Sequence, residues 1–481
     1  MTLKIKVKNG LKWTFLDQIF SQIIILIFGI FLARLISPSA FGLVGMVTIF
    51  SNFALLFLDL GFGAALIQKK EVTNVHFSSV FWLNLIIGIF LYSIFYVLAP
   101  YISLFYLQPE LTKLIRVICL TFIITSISSV QVNLLIKNLR FKKKIIINWI
   151  AMGIGYSLAF FLAYKGYGVW SIVIMTLATA TINSALYWIA SSWWPMLIFE
   201  WDKIKELSHF GLHFLGDTSV NYWSRNYDNF IIAKVLGSTE LGIYSRAYSL
   251  MLMPLRNVST IVTKVMFPAF SQKQGDVPLL KKYYLNIILY IALITFPLMI
   301  GLSLVSKEFV LLFFGEKWIA MVPVLSILSI LGAIQSIISL NGLIYNALGK
   351  TNIALKVSLF SNIVLIIAFT IGVQHGIIGV AWSYLFANLL LFIPIYNTAL
   401  KLLDINLLEV FKILQGVIIS SIGMAIALFS VNHWLSFSLL LNLIIKTISG
   451  AFVYFLLLLL LEKKLILELK SKIIYLIAKK E

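Results

Sequence analysis

The stretch LARLISPSAFGL at residues 32–43 returns 200 residues later as IAKVLGSTELGI at residues 232–243. Ala33 and Ala233 are identical, as are Gly42 and Gly242, and Arg34 matches Lys234. The same register pairs Asp17 with Asp217. Downstream, Asn133-x-Leu-Ile-x-Asn138 is matched by Asn341-x-Leu-Ile-x-Asn346. Gly166 and the run Gly168 to Ser171 are matched by Gly376 and the run Gly379 to Ser383, one residue longer. Three matches in the same order at a nearly constant offset mark an internal repeat, one architecture written twice.

What each copy contains follows from composition. Of the 481 residues, 61% are hydrophobic and 12% charged, with a mean hydropathy of +1.00. A soluble globular chain is about 45–50% apolar and about 25% charged, so that class is excluded. Disulfide-built folds are excluded by a single cysteine, Cys119. Apolar runs predict fourteen membrane-spanning helices near 13–34, 41–67, 78–99, 114–136, 145–164, 168–190, 213–233, 241–270, 284–305, 321–347, 353–373, 377–399, 412–430 and 438–461. The expected fold class is an all-α polytopic membrane protein. Six spans per repeat is an even number, so both copies run in the same direction. A parallel repeat of this kind has its pseudo-two-fold axis along the membrane normal, with a site between the two halves. The predicted layout is an N-lobe over 1–190, an interfacial linker helix over 191–212, a C-lobe over 213–400, two further spans over 401–461 and a cytoplasmic amphipathic tail over 462–481.

The net charge of +20 raises the question of nucleic acid, but its distribution answers differently. Of 38 Lys and Arg, 26 fall on the face holding the N-terminus, the loops after even-numbered spans and the tail, against 7 on the other face. That asymmetry places both termini in the cytoplasm and the basic charge against anionic lipid headgroups, with no nucleic-acid partner. Its densest block is Lys137, Arg140, Lys142, Lys143 and Lys144. Lys4, Lys6, Lys8 and Lys12 precede an apolar run too long for a signal peptide, which reads as a retained first helix. In the linker, Trp201, Ile204 and Leu207 lie among Asp202, Lys203, Lys205 and Glu206. The tail sets Ile466, Leu469, Ile473 and Ile477 among lysines. Both patterns suit helices on a membrane surface.

Polar residues inside spans carry the functional signal, since a charge at mid-bilayer costs at least about 2.5–3.5 kcal/mol. In the seventh span His213, Asp217, Asn221, Ser224 and Asp228 share one helical face, with Arg225 at its edge and spaced to pair with Asp228. In the eighth, Arg246, Ser249, Met253, Arg256, Asn257, Thr260 and Lys264 form a second stripe. Its cations span about 27 Å, a ladder suited to phosphate or diphosphate. Lys264 and Arg246 can snorkel, whereas Arg256 cannot. The first half is milder: Asp17 and Ser21 share a face, as do Thr48, Asn52 and Asp59. Asp59 and Asp17 are the ion-coupling candidates, for H⁺ or Na⁺. A second reading makes Asp59 a hydrogen-bond acceptor in helix packing, and Lys446 in the last span either snorkels or lines a groove.

Catalytic and cofactor motifs fail on inspection. Gly349-Lys350-Thr351 lacks the glycine of a phosphate loop, because Ile344 stands there. Gly61/Gly63 and Gly153/Gly155 lack the third glycine of a dinucleotide fingerprint. His209 and His213 have no further ligands at metal spacing, and Asn257-Val-Ser259 lies inside a span. No cofactor, no metal and no enzyme are expected.

LARLISPSAFGL at 32–43, Asp59-Leu-Gly-Phe-Gly-Ala-Ala-Leu-Ile-Gln68, Arg225-Asn-Tyr-Asp228, Gly242-Ile-Tyr244, Phe267-Pro-Ala-Phe-Ser271 and Asn346-Ala-Leu-Gly-Lys350 together resemble polysaccharide-export flippases of the MOP superfamily. The resemblance is greatest to the lipopolysaccharide, colanic acid and teichuronic acid branch. It implies two six-helix lobes plus two final helices, a bacterial cytoplasmic (inner) membrane location, and alternating access around a cationic central cavity. The implied substrate is an undecaprenyl-diphosphate-linked oligosaccharide, with membrane lipids and polysaccharide polymerase or assembly proteins as neighbours and a monomeric carrier. Arg225 and Asp228 match the family's polar seventh-helix motif and Asp59 its second-helix motif. Arg246, Arg256, Asn257, Asn221 and Asp217 complete the candidate substrate site from the stripes alone. Two other classes stand beside this reading: a multidrug or cation antiporter of the same fold, and a membrane polysaccharide polymerase or ligase. Drug-resistance against glycan-display assays separates the first, and a protease map of the outer loops separates the second.

Overall fold

The computed structural model describes residues 3–432 and 438–463, with the side chains of 3–8, 11, 208–215, 217, 220, 256–261, 264, 265, 431 and 432 left outside the description. The expected tail helix, the eighth-span residues Arg256, Asn257, Thr260 and Lys264, and the side chains of His213 and Asp217 therefore lie outside the described residues. Everything regular among the described residues is helical. The first unit carries α1 (Leu3–Leu35), α2 (Pro38–Asp59), α3 (Phe62–Gln68), α4 (Asn74–Tyr106), α5 (Leu111–Ile118), α6 (Leu120–Lys137), α7 (Phe141–Tyr164), α8 (Val169–Ser191) and α9 (Trp201–Val235). α10 (Ser238–Gln272) follows, then α11 (Val277–Leu304), α12 (Ser306–Phe313), α13 (Met321–Ile338) and α14 (Asn341–Ala347). α15 (Thr351–Gly372), α16 (Gly376–Lys401), α17 (Leu407–Asn432) and α18 (Leu439–Leu461) complete the order.

Among the described residues, eleven stretches are long and apolar enough to cross a membrane. One of them, Thr351–Lys401, is two helices, α15 and α16, parted by a short turn and by Gly376 at φ +73°. Polar and charged residues keep α9 and α10 below that apolarity, and with them the arrangement is compatible with fourteen spans. Outward-facing apolar side chains such as Leu359, Ile363 and Ile367 in α15 are exposed at helical spacing, the surface a bilayer solvates.

The chain forms two compact units, Met1–Ser245 and Arg246–Glu481. In the first, α2 starts on Ser37, whose hydroxyl accepts from the Ala40 N–H at 3.4 Å, with Pro38 in the first turn where its missing N–H costs nothing. The expected single span over 41–67 breaks after Asp59, because Leu60 (φ +45°) and Gly61 (φ +75°) are left-handed and restart the chain as α3. The span expected over 114–136 tightens for one turn at Cys119, where the Phe122 N–H bonds to the Cys119 carbonyl at 2.9 Å.

Two equivalences of the repeat reappear as geometry. Gly166 (φ +86°) and Gly376 (φ +73°) are both left-handed, one shortly before α8 and the other at the first residue of the matching α16. Gly42 and Gly242 meet inside the first unit. A Cβ on Gly42 would overlap the Ser238 carbonyl, and one on Gly242 would overlap the Pro38 carbonyl and stand 3.0 Å from the Gly42 nitrogen. Residue 38 is to 238 as 42 is to 242, so the contact is reciprocal.

The linker's apolar residues dock on protein. Ile204 and Leu207, in the first turns of α9, are buried with Phe62, Leu66, Phe77, Phe81 and Val130, while Trp201 is exposed. Polar bonds fix the same junction. The Ser78 and Ser79 hydroxyls accept from the Met196 and Glu200 N–H groups, both at 3.0 Å. Glu206 accepts from Lys69, from Lys203 at 2.9 Å and faces His76 at 3.3 Å. Lys69 first, then Lys203 and His76, hold the Glu206 carboxyl down to about 2. Lys137, expected to meet lipid headgroups, instead donates to the carbonyls of Leu66 at 2.6 Å and Lys69 at 2.7 Å, capping α3.

In the second unit, Tyr284, Tyr396, Leu340 and Leu400 centre a core that joins α11, α13, α16 and α17. The span expected over 321–347 is interrupted at Ser339–Leu340, between α13 and α14. Lys446 corrects both of its sequence readings: it neither snorkels nor lines a groove. It is 2% exposed and ion-paired with Glu308, itself 6% exposed, which joins α18 to α12. Burial of a lysine calls for an acid beside it, and nothing in the sequence pattern singles out that partner 138 positions away.

Candidate functional site

A cavity of about 700 Å³ opens within the first unit, among α2, α5, α6, α7 and α8. That volume lies within the range of small-molecule sites. The second-span stripe read from the sequence faces it: Thr48, Asn52 and Asp59 all line the wall. The rest of the polar lining went unnoticed. α6 contributes Thr125, Ser128 and Ser129, and α8 contributes Thr176, Thr179 and Asn183. These are helical spacings of three and four, so the two stripes were present in the sequence. Hydroxyls cost so little in an apolar helix that they do not stand out as charges do.

Among the described residues no Lys or Arg lines this cavity, and Asp59 is the sole carboxylic acid there. Asp59 is hydrogen-bonded in place: Oδ2 accepts from the Gly63 N–H at 2.9 Å and Oδ1 from Asn84 Nδ2 at 3.3 Å. Asn84 also donates to Ser129 Oγ at 2.9 Å. Gly63 is required by this geometry, since a Cβ there would overlap the Asn133 amide and stand 2.7 Å from Asp59 Oδ2. Among the described residues no salt bridge reaches Asp59.

The seventh-span stripe divides. Asp228 is buried, with Oδ2 accepting from the Tyr244 hydroxyl at 3.1 Å and Oδ1 from the Asn229 N–H at 2.8 Å. The expected Arg225–Asp228 pair is therefore not formed. The helix turns Asp228 into the protein and leaves Arg225 exposed with Asn221. A phenol at Tyr244, sixteen residues on, satisfies the acid instead. Beside it a smaller cavity of about 100 Å³ is lined by Thr48, Asn52, Tyr222, Asn226 and Asn229. Tyr222 donates to the Ile49 carbonyl at 2.6 Å, which ties the polar face of α9 to that of α2. Arg246 is half-buried in the second unit. Asp17 is half-buried and accepts from Ser21 at 2.9 Å, as its shared face implied, and from Trp149 Nε1 at 2.8 Å. Among the described residues no three His, Cys, Asp or Glu side chains are gathered to hold a metal ion.

Known proteins align with this chain along most of its length. The family profile described as "Polysaccharide biosynthesis protein" matches residues 31–323. The teichuronic acid biosynthesis protein TuaB of Bacillus subtilis (strain 168) is 31% identical over 464 residues, covering 94% of this chain and 95% of that protein. The lipopolysaccharide biosynthesis protein WzxC of Escherichia coli (strain K12) is 28% identical, covering 83% and 82%. Among solved structures, the lipid II flippase MurJ in an inward closed conformation has a TM-score of 0.77 at 15% identity, covering 95% of this chain and 100% of that one, a likeness of fold.

Proposed function

Because the chain belongs to the polysaccharide biosynthesis protein family, we propose that it flips a polyprenyl-diphosphate-linked oligosaccharide across the cytoplasmic membrane of a bacterium, by alternating access between its two repeats. The observation that carries this is the pairing of a multi-pass helical fold with a cavity of about 700 Å³ that gathers Asp59, Asn52, Asn183 and several hydroxyls among apolar side chains of membrane-length helices. A carboxyl group and amides such as Asp59, Asn52 and Asn183 are costly inside an apolar bundle unless polar groups meet them, and a polar cargo supplies such groups. The sequence supplies no catalytic constellation and no nucleotide-binding motif, which favours a carrier over a polymerase or ligase.

Roles are divided among the intramembrane residues. Arg225, exposed on α9, and the α10 cations Arg246 and Arg256 offer charge to a diphosphate. Asp228 sets the α9–α10 contact through Tyr244. Asp59 is the candidate for binding H⁺ or Na⁺, with Asp17 as the second. Both termini lie in the cytoplasm by the lysine and arginine asymmetry. The test is lipid analysis of a deletion strain. The lipid-linked glycan accumulates in the inner leaflet if the reading holds, and wild-type levels of that lipid with normal surface glycan overturn it.

A further inference from the structure

We propose that the cavity of the first unit is a subsite for the uncharged, hydroxyl-bearing sugars of the cargo, and that the diphosphate is held elsewhere. This rests on the transport reading above and adds to it a division of the substrate.

The argument is one of donors and acceptors. Five hydroxyls in the cavity wall give their proton to their own helix. Thr48 donates to the Gly45 carbonyl at 2.9 Å, Thr121 to Ile118 at 2.7 Å, and Thr176 to Ile172 at 2.9 Å. Ser128 donates to Thr125 at 3.4 Å and Ser129 to Ser126 at 3.2 Å. A hydroxyl whose proton is spent on its helix keeps lone pairs only, so what it presents to the cavity is an acceptor. The Asp59 carboxylate adds acceptor capacity and a negative charge. Asn183 Oδ1, also in the wall, is buried without a hydrogen-bond partner.

A diphosphate diester brings acceptors and negative charge. With no Lys or Arg among the described residues of the lining, it would meet the Asp59 carboxyl group and neutral donors, with no cation to balance its charge. A sugar brings several O–H donors at once, and Tyr156 and Tyr187 offer aromatic surface for its C–H face. The volume also separates a sugar from a bare cation, because about 700 Å³ is far more than one ion with its ligands fills.

The experiment uses the full-length protein in nanodiscs and two probes, the neutral oligosaccharide released from the host's own lipid-linked glycan and inorganic diphosphate. Thr176→Val with Asn183→Leu removes acceptors while keeping bulk. The expected result is at least a tenfold loss in oligosaccharide affinity and unchanged diphosphate affinity. Gly155→Ala is a second route to the same wall, since its Cβ would overlap the Thr179 hydroxyl, and it should weaken the sugar alone. Both variants must match wild type in monodispersity. Unchanged oligosaccharide affinity in both variants, or an equal loss for diphosphate, overturns the proposal. If the deletion strain accumulates no lipid-linked glycan, the transport reading fails separately, and the binding of the neutral sugar still decides the cavity.

Discussion

Gly42 and Gly242, 200 positions apart, sit back to back at the starts of α2 and α10, each against a carbonyl at the start of the other's helix. Neither carbonyl can yield, because both belong to helix backbone. Gly42→Ala should therefore force the helix starts apart and cost at least about 1–3 kcal/mol, as overpacking does. Gly153→Ala is the control: nothing lies within 4 Å of a Cβ there, and alanine favours the helix by up to about 1 kcal/mol. Thermal unfolding followed by size-exclusion chromatography should show a fall for the first and none for the second.

Lys446→Ala should be severe, since it strands Glu308 in the interior. Breaking a buried pair from one side costs about 3–5 kcal/mol. Adding Glu308→Gln to Lys446→Met should recover much of that loss, because no lone charge remains. Yields of folded, monodisperse protein from the single and double variants decide the point. An equally unstable double variant would mean that shape, and not charge, holds α18 to α12.

Acid should release the linker from α4 in a defined window. The Glu206 carboxyl is held down to about 2, below the 4.5 of an unperturbed glutamate. Its contribution is therefore complete above about pH 4.5 and fades as pH falls toward 2. Limited proteolysis of the 192–200 connector should be slow and constant from pH 7 to pH 5, then accelerate. Glu206→Gln should make it fast already at pH 7.

Asp59→Asn should fold, because Asn84 Oδ1 has no partner in the wild type and can turn to meet the new amide. Reconstituted transport should then lose its dependence on ΔpH or Na⁺ while cargo still binds. Unchanged gradient dependence would move coupling to another carboxylate, Asp17 first.

Arg225→Ala should abolish surface-glycan export and leave the protein in the membrane at normal level, since the side chain is exposed and forms no ion pair among the described residues. Normal export in that variant would remove Arg225 from the cargo path.

The features legible in the sequence were those with strong periodic or charge signals. The repeat pairs Gly166 with Gly376, both left-handed, and the face shared by Thr48, Asn52 and Asp59 turns toward one cavity. Partner choice was not legible. Asp228 could reach Arg225 at i−3 or Tyr244 a turn and a loop away, and only packing decides between a cation and a phenol. Likewise Lys446 and Glu308 are remote in sequence and meet through tertiary structure alone. The helix breaks at Asp59 and Ser339 fall inside apolar runs, where hydropathy is blind to a change of direction.

The pair between α12 and α18 also sets a timetable for synthesis. Glu308 leaves the ribosome 138 residues ahead of Lys446. At about 5–20 residues per second, the lysine follows by about 7–28 s. Throughout that interval the nascent chain carries an acid whose base has not yet been made, so α12 reaches its final packing only after α18 is complete.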